Sequence, residues 1–384
     1  MDFRLPEEID DLRSSIESFA FTHLAPGALE RAHSTEYPWD VARLMADQGL
    51  LGLTIPEEKG GQGASLLAAV TAIQAVARAC PRSADVVQAG NFGPIRTFAE
   101  YATPEQRERY LPRLLSGEMV ISLGMTEPDA GSAVTDLRTT ATPKGDGYVI
   151  SGSKIFSTHS PDAGLFLVYV RFGPGVGGIG SVLVERGTEG FRVGQPSNFL
   201  NGEQWSQLYF DDCYIPAEQV LLGEGGFKKQ IGGFNVERIG NASRSIAVGR
   251  HAFDKAVEHV NQREQFGRPL SEFQGLQWMF AECAVKLESA QLLLWKAALE
   301  GDAGLPSART TAVAKFAANQ AGFDAANVAV QAMGGMGFSD DSLVEYCFRR
   351  TRGWMIAGGS TEILKNRIAE SVFDRRFSQR RSAS

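Results

Sequence analysis

Glu237 and Arg263 stand on one stretch, VERIGNASRSIAVGRHAFDKAVEHVNQREQFG, that runs from Val236 to Gly267. Ile239, Ile246, Phe253, Ala256, Val257 and Val260 recur along it at the period of an amphipathic helix. This spacing predicts a helix with the Glu237 carboxylate in its first turn and the Arg263 guanidinium near its end. At a rise of about 1.5 Å per residue the two groups lie on the order of 40 Å apart. They therefore meet different ligands, or different parts of a long one. The plainer alternative is that both residues only complement the helix dipole.

The 384 residues suffice for two or three domains. A net charge of -7 argues against a nucleic-acid partner. No apolar run approaches a membrane span of roughly 18 residues. The acidic start MDFRLPEEIDD lacks the apolar core of a signal peptide, which points to the cytoplasm. Cys80, Cys213, Cys283 and Cys347 are scattered and read as free thiols. The five histidines have no ligand spacing, so no metal site is expected.

Three textures succeed one another. Residues 1–121 read as helices, among them a firm start at Thr103-Pro104-Glu105-Gln106, a capping box with proline in the first turn. Residues 122–226 hold short β-branched and aromatic runs, the pattern of an antiparallel sheet or barrel. Helical period returns over 227–384. The chain is thus α+β in three segments. Gly173, Gly175 and Gly178 fit a dinucleotide fingerprint, but Pro174 and the strand-like SVLVE that follows make them a hairpin loop.

Met125-Thr-Glu-Pro-Asp-Ala-Gly-Ser132 resembles the signature of the flavin-dependent acyl-CoA dehydrogenases. KIFSTHS (154–160), REQFG (263–267), QAMGGMGF (331–338) and GGSTEI (358–363) resemble further motifs of that family, in its order. The resemblance implies a helical N-terminal domain, a middle β-barrel or sheet domain and a C-terminal four-helix bundle. It implies FAD as cofactor and α,β-dehydrogenation of an acyl thioester. A carboxylate removes the α-proton while flavin N5 takes a hydride from the β-carbon, and the protein supplies orientation and electrostatics.

Carried over residue by residue, Met125, Thr126, Ser132 and Thr158 are expected at the flavin, with Phe156 against its ring where most relatives have Trp. Arg263, Phe266 and Gln274, with Gln331, Gly334 and Gly335 of a second subunit, resemble the grip on the pyrophosphate and adenine. Ser360 and Glu362 belong to the segment lying over the flavin. Many relatives carry the base where this chain has Gly358. The branch typified by isovaleryl- and long-chain acyl-CoA dehydrogenases carries it on the long helix, where Glu237-Arg238-Ile239 matches its Glu-Arg pattern. Glu237 is therefore the expected base, and Gly358 is expected to offer its backbone N–H to the thioester oxygen. Ser132, Arg238 and Ala357 are expected to meet substrate; Ala357 for the family's Tyr widens the pocket for a bulky or branched acyl group. Ala133 and His159 replace the Asp and Asn of relatives, and His159 is expected behind the site or at the surface.

The implied partners are acyl-CoA or a carrier-protein thioester, an electron-transfer flavoprotein or other acceptor, and copies of the chain in a homotetramer. Two other readings stay open on this sequence: a flavin monooxygenase or oxidase of the same fold, and a non-catalytic subunit of a hetero-oligomer.

Overall fold

A computed structural model describes residues 4–304 and 306–379. They form two compact units divided after Phe234. The first begins with helices α1 (Glu7–His23), α2 (Ala28–His33), α3 (Trp39–Asp47), α4 (Leu66–Ala79), α5 (Ala84–Ala89), α6 (Pro94–Tyr101) and α7 (Pro104–Leu115). In α4 every residue but Gln74 and Arg78 is buried, which its run of Ala, Val and Leu permits. Thr103 and Gln106 form the expected capping box at the start of α7. The short helix α2 was not expected, because its six residues are too few to show a period.

The sheet follows: β1 (Ile121–Gly124), β2 (Thr140–Lys144), β3 (Gly147–Thr158), β4 (Leu165–Arg171), β5 (Ile179–Glu185), β6 (Phe191–Val193), β7 (Ser197–Asn198), β8 (Gln204–Pro216) and β9 (Val220–Leu222). Its nine strands run in the order β6-β8-β3-β2-β4-β5-β9, with β1 on β4 and β7 on β8. The ladders are antiparallel except for β1 on β4 and the single pairing of β2 with β4, so the sheet is mixed. Gly173, Gly175 and Gly178 do lie in the β4–β5 hairpin. Helices and sheet share one core, in which Phe98, Tyr110 and Leu114 pack with Leu165, Leu167, Tyr169 and Leu183. Gln106 Nε2 donates to the Glu218 carbonyl at 2.7 Å, and Tyr110 Oη donates to Glu185 at 2.6 Å. The boundary that the sequence draws near residue 121 is therefore a change of secondary structure within one compact unit.

Helix α8 (Phe227–Gln262) contains the point of division. It starts at Phe227, where the sequence places the return of the helical period and nine residues ahead of Val236, and runs through Gly232 and Gly233. Glu237 consequently lies about three turns in, not in the first turn, and a terminal dipole does not account for it. The second unit continues with a small hairpin, β10 (Glu264–Gln265) and β11 (Arg268–Pro269), then α9 (Gln274–Asp302), α10 (Ala308–Met333), α11 (Gly335–Phe338), α12 (Leu343–Trp354) and α13 (Thr361–Val372). Helix α10 is its centre, packed on α9, α11, α12 and α13. It also crosses α8 closely, where a Cβ on Gly249 would stand 2.5 Å from Gly322 Cα. Side chains are excluded there, so the two backbones touch.

Among the described residues no helix is long and apolar enough to cross a membrane, and no cluster of His, Cys, Asp and Glu could hold a metal ion. All four cysteines are free and buried.

Candidate functional site

In the first unit the TEPDAGS loop leaves the end of β1 and the KIFSTHS run closes β3. Glu127 and Lys154 lock these stretches together. The Glu127 carboxylate accepts from Lys154 Nζ at 2.7 Å, from Thr139 Oγ1 at 2.6 Å, and from the Arg138 and Thr139 amides. Lys154 is fully buried, and burial pulls its pKa down to about 8 against the opposing pull of Glu127. Burial pushes Glu127 up, but the Lys154 charge and the hydrogen bonds outweigh it and hold the carboxyl below its usual range. Ile155 N donates to the Thr126 carbonyl at 2.8 Å, and Ser122 Oγ donates to the Thr158 carbonyl at 2.7 Å. Thr126 and Thr158 are thus fixed by backbone and neighbours, while neither hydroxyl has a partner among the described residues.

Phe156 owes its position to a bulge. Lys154 pairs with Leu208 and Ser157 with Ser206, so β3 gains one residue on β8 between those pairs. Phe156 takes φ 59° there, a left-handed value costly for an aromatic residue. Its ring is left 51% exposed, beside Trp205 at 4.7 Å. Met125 is half-buried and Ser132 exposed. His159 is partly buried: it faces Glu203 at 3.5 Å and packs edge-on against Tyr37. Arg82 and Asp85 lie in the same buried group, which nothing in the sequence singled out.

In the second unit, Lys315 of α10 organises the turn between α12 and α13. It is wholly buried, and its ammonium donates to the carbonyls of Trp354 (3.3 Å), Ala357 (2.7 Å) and Gly359 (2.8 Å). Asn319 Nδ2 adds a bond to the Trp354 carbonyl at 2.7 Å. Gly358 and Gly359 take φ 67° and 93°, which the turn requires and a glycine allows. A Cβ on Gly358 would stand 3.8 Å from Asn241 Nδ2 and 3.9 Å from Lys315 Nζ. The Lys315 pKa is lowered to about 7, by burial first and then by Arg238 and Arg244, against the opposing charge of Glu237. Arg238 Nη1 donates to Asn235 Oδ1 at 2.9 Å, and burial brings its own pKa down to about 10. Ala357 is exposed and Gly358 half-buried. Ser360 caps α13, its Oγ accepting from Ile363 N, and Glu362 is exposed in that helix's first turn.

Arg263, Phe266, Gln274, Gln331, Gly334 and Gly335 are all exposed. Phe266 is 93% exposed at φ 53°, packed edge-on against Phe273 at 6.2 Å. Gln331 lies about 24 Å along α10 from Lys315. The two motifs expected at the dinucleotide are therefore remote from the Lys315 turn, and no hydrogen bond joins them among the described residues. Sequence reading missed Lys315 and Asn241, and gave Lys154 no role of its own within its motif. Lys315 alone stands in an apolar run, AVAKFAA, a pattern that flags a buried polar group without saying what it holds.

Family models match nearly all of this architecture. The acyl-CoA dehydrogenase N-terminal domain covers residues 6–118, the middle domain 122–213 and the C-terminal domain 224–373. The chain is 33% identical to the 3-sulfinopropanoyl-CoA desulfinase of Paraburkholderia xenovorans, over 99% of this chain and 100% of that one. It is 33% identical to the short-chain specific acyl-CoA dehydrogenase of Clostridium acetobutylicum, over 97% and 100%. The solved complex of glutaryl-coenzyme A dehydrogenase with glutaryl-CoA superposes with a TM-score of 0.93 at 30% identity, covering 100% of this chain and 99% of that one. The chain belongs to the acyl-CoA dehydrogenase family, a family of FAD-dependent oxidoreductases.

Proposed function

We propose that the protein is an acyl-thioester dehydrogenase in which Glu237 takes the α-proton of the substrate. The observation that carries this reading is the pairing of Glu237 with a glycine at 358. The turn at Gly358 has no side chain able to act as a base, whereas Glu237 lies close enough to act on the charge of Lys315 beneath that turn.

The residues of the first unit fit a flavin. Thr126 and Thr158 offer hydroxyls with no partner among the described residues, and Phe156 presents a half-exposed ring on a strained bulge. An exposed aromatic face and open hydroxyls suit a flat, polar ring system. Arg263, Phe266, Gln274, Gln331, Gly334 and Gly335 would hold the dinucleotide end, the latter three from a second copy in a homotetramer. Ser132, Ser360 and Glu362 would border the ring. FAD, when bound, supplies the redox chemistry by accepting the hydride of the β-carbon.

The chain's own part is orientation and proton transfer. The α C–H bond breaks toward a Glu237 carboxylate oxygen, its electron pair forms the new C=C bond, and the β C–H pair leaves as hydride. The Gly358 N–H, held in place by Lys315, would donate to the thioester oxygen as negative charge gathers on it. Arg238 and Ala357 would border the acyl group. The substrate would be an acyl-CoA or a carrier-protein thioester, with an electron-transfer flavoprotein or another acceptor removing the electrons in the cytoplasm.

Anaerobic mixing of the holoenzyme with a panel of thioesters, 3-sulfinopropanoyl-CoA included, tests this through bleaching of the flavin. Glu237→Gln is expected to slow bleaching by about 10²- to 10⁴-fold with FAD content unchanged. Wild-type bleaching by that variant would remove Glu237 from the chemistry.

A further inference from the structure

Asn241 follows Glu237 by one helical turn on α8, so both occupy the same face of the helix. It is only 2% exposed, and its Oδ1 is buried with no hydrogen-bond partner among the described residues. Such an amide costs roughly ten- to hundredfold in folding equilibrium if it stays unsatisfied. Asparagine is also a poor residue for a helix interior. Neither helix stability nor packing therefore explains it.

The place it faces is the space in front of Gly358. The nearest atoms to a Cβ built there are Lys315 Cε at 3.7 Å, Asn241 Nδ2 at 3.8 Å and Lys315 Nζ at 3.9 Å. These are ordinary contact distances, so no other part of the protein fills the place where a side chain at 358 would stand. The three protons of the Lys315 ammonium are committed to the carbonyls of Trp354, Ala357 and Gly359. Lys315 has no donor left for an occupant, and of the two side chains nearest that space the Asn241 amide is the one that can bond it. The last torsion of an asparagine is broad, so either amide atom can turn toward the space.

We propose that Asn241 is a specificity residue that hydrogen-bonds a hydroxyl on the acyl chain, close to the reacting carbons, in the space left open by Gly358. The inference rests on the thioester-dehydrogenase reading with Glu237 as base. A hydroxyl is both donor and acceptor, so it can donate to Oδ1 or accept from Nδ2, whichever faces the space. A carboxylate offers only acceptors, so it can take a bond from Nδ2 but leaves Oδ1 unsatisfied. An unsubstituted chain leaves the amide buried and unsatisfied, and sites of that kind discriminate strongly.

The test uses the holoenzyme and three acyl-CoA thioesters of one chain length: unsubstituted, hydroxylated at the γ-carbon, and carrying a terminal carboxylate. The second-order rate of flavin bleaching is measured for each. Wild-type protein is expected to favour the hydroxylated thioester by about ten- to hundredfold. Asn241→Leu is expected to abolish that preference, and Asn241→Ser, which keeps a hydroxyl, to retain part of it. FAD content and Tm of each variant report folding, and the wild-type preference is read even if Asn241→Leu does not fold. Equal wild-type rates on the hydroxylated and unsubstituted thioesters overturn the proposal, as does a preference that survives Asn241→Leu. A preference for the carboxylate overturns the assignment of a hydroxyl. Bleaching by none of the three, or by any other thioester, overturns the dehydrogenase reading itself.

Discussion

Replacing Lys315 by methionine separates what the buried ammonium does for stability from what it does for the Gly358 turn. The side chain keeps its volume and loses its charge and three donors. Two opposing quantities follow from the structure. The fall in pKa from 10.5 to about 7 means that burying the charge opposes folding by at most about 5 kcal/mol at pH below 7. Against this, the Ala357 and Gly359 carbonyls lose their donor, at about 1–3 kcal/mol each, while the Trp354 carbonyl keeps Asn319. The two effects oppose each other, so Lys315→Met should destabilise by less than the loss of the two bonds alone, which together come to about 2–6 kcal/mol. The turn, however, loses its anchor, and misplacing a catalytic N–H by about 1 Å costs on the order of 10²-fold in flavin bleaching. The pH dependence gives a second reading. Because the folded-state pKa is below the unfolded value, the unfolded chain binds the extra proton between about pH 7 and 10.5. Stability from this group is therefore lowest below pH 7 and rises across that window, by at most about 1.4 kcal/mol per pH unit. Urea unfolding at pH 7 and pH 9 should show that slope in wild type and a shallower one in Lys315→Met. Wild-type bleaching together with an unchanged slope would refute the argument.

Lys154→Met leaves the Glu127 carboxylate buried without its cation and should cost about 3–5 kcal/mol, with FAD lost on gel filtration; stability within 1 kcal/mol of wild type, measured by urea unfolding, would contradict it. Gly322→Val should destabilise by about 3 kcal/mol or more, because a Cβ there already lies 2.2 Å from the Ser245 carbonyl oxygen. Thermal unfolding checks this, and a Tm unchanged from wild type would show that α8 and α10 can move apart at little cost. Arg263→Ala should release FAD while leaving stability of the apoprotein within about 0.5 kcal/mol, since the residue is exposed. Full FAD occupancy in that variant would remove Arg263 from the dinucleotide grip.

The sequence alone determined the elements and their order. Period 3.6 in the first and last thirds, β-branched runs between them and the capping box at Thr103 are local signals, set by neighbours in the chain. It also supplied the motif residues, because family motifs are contiguous: Met125–Ser132, Lys154–Ser160 and Arg263–Gly267 are each legible as strings. Three things depended on tertiary structure. That α8 runs unbroken from Phe227 through Gly232 and Gly233 is one, since two adjacent glycines are poor helix residues and propensity alone does not carry a helix across them. The exposure of Phe156 comes from a one-residue offset between β3 and β8, and register is a property of two strands together. Lys315 lies 42 and 44 residues from the Ala357 and Gly359 carbonyls it bonds, and Asn241 lies on a different element from the Gly358 space it faces. A buried amine or amide reads the same in a string whatever it holds; only the packing of α8, α10 and the α12–α13 turn decides what stands opposite it.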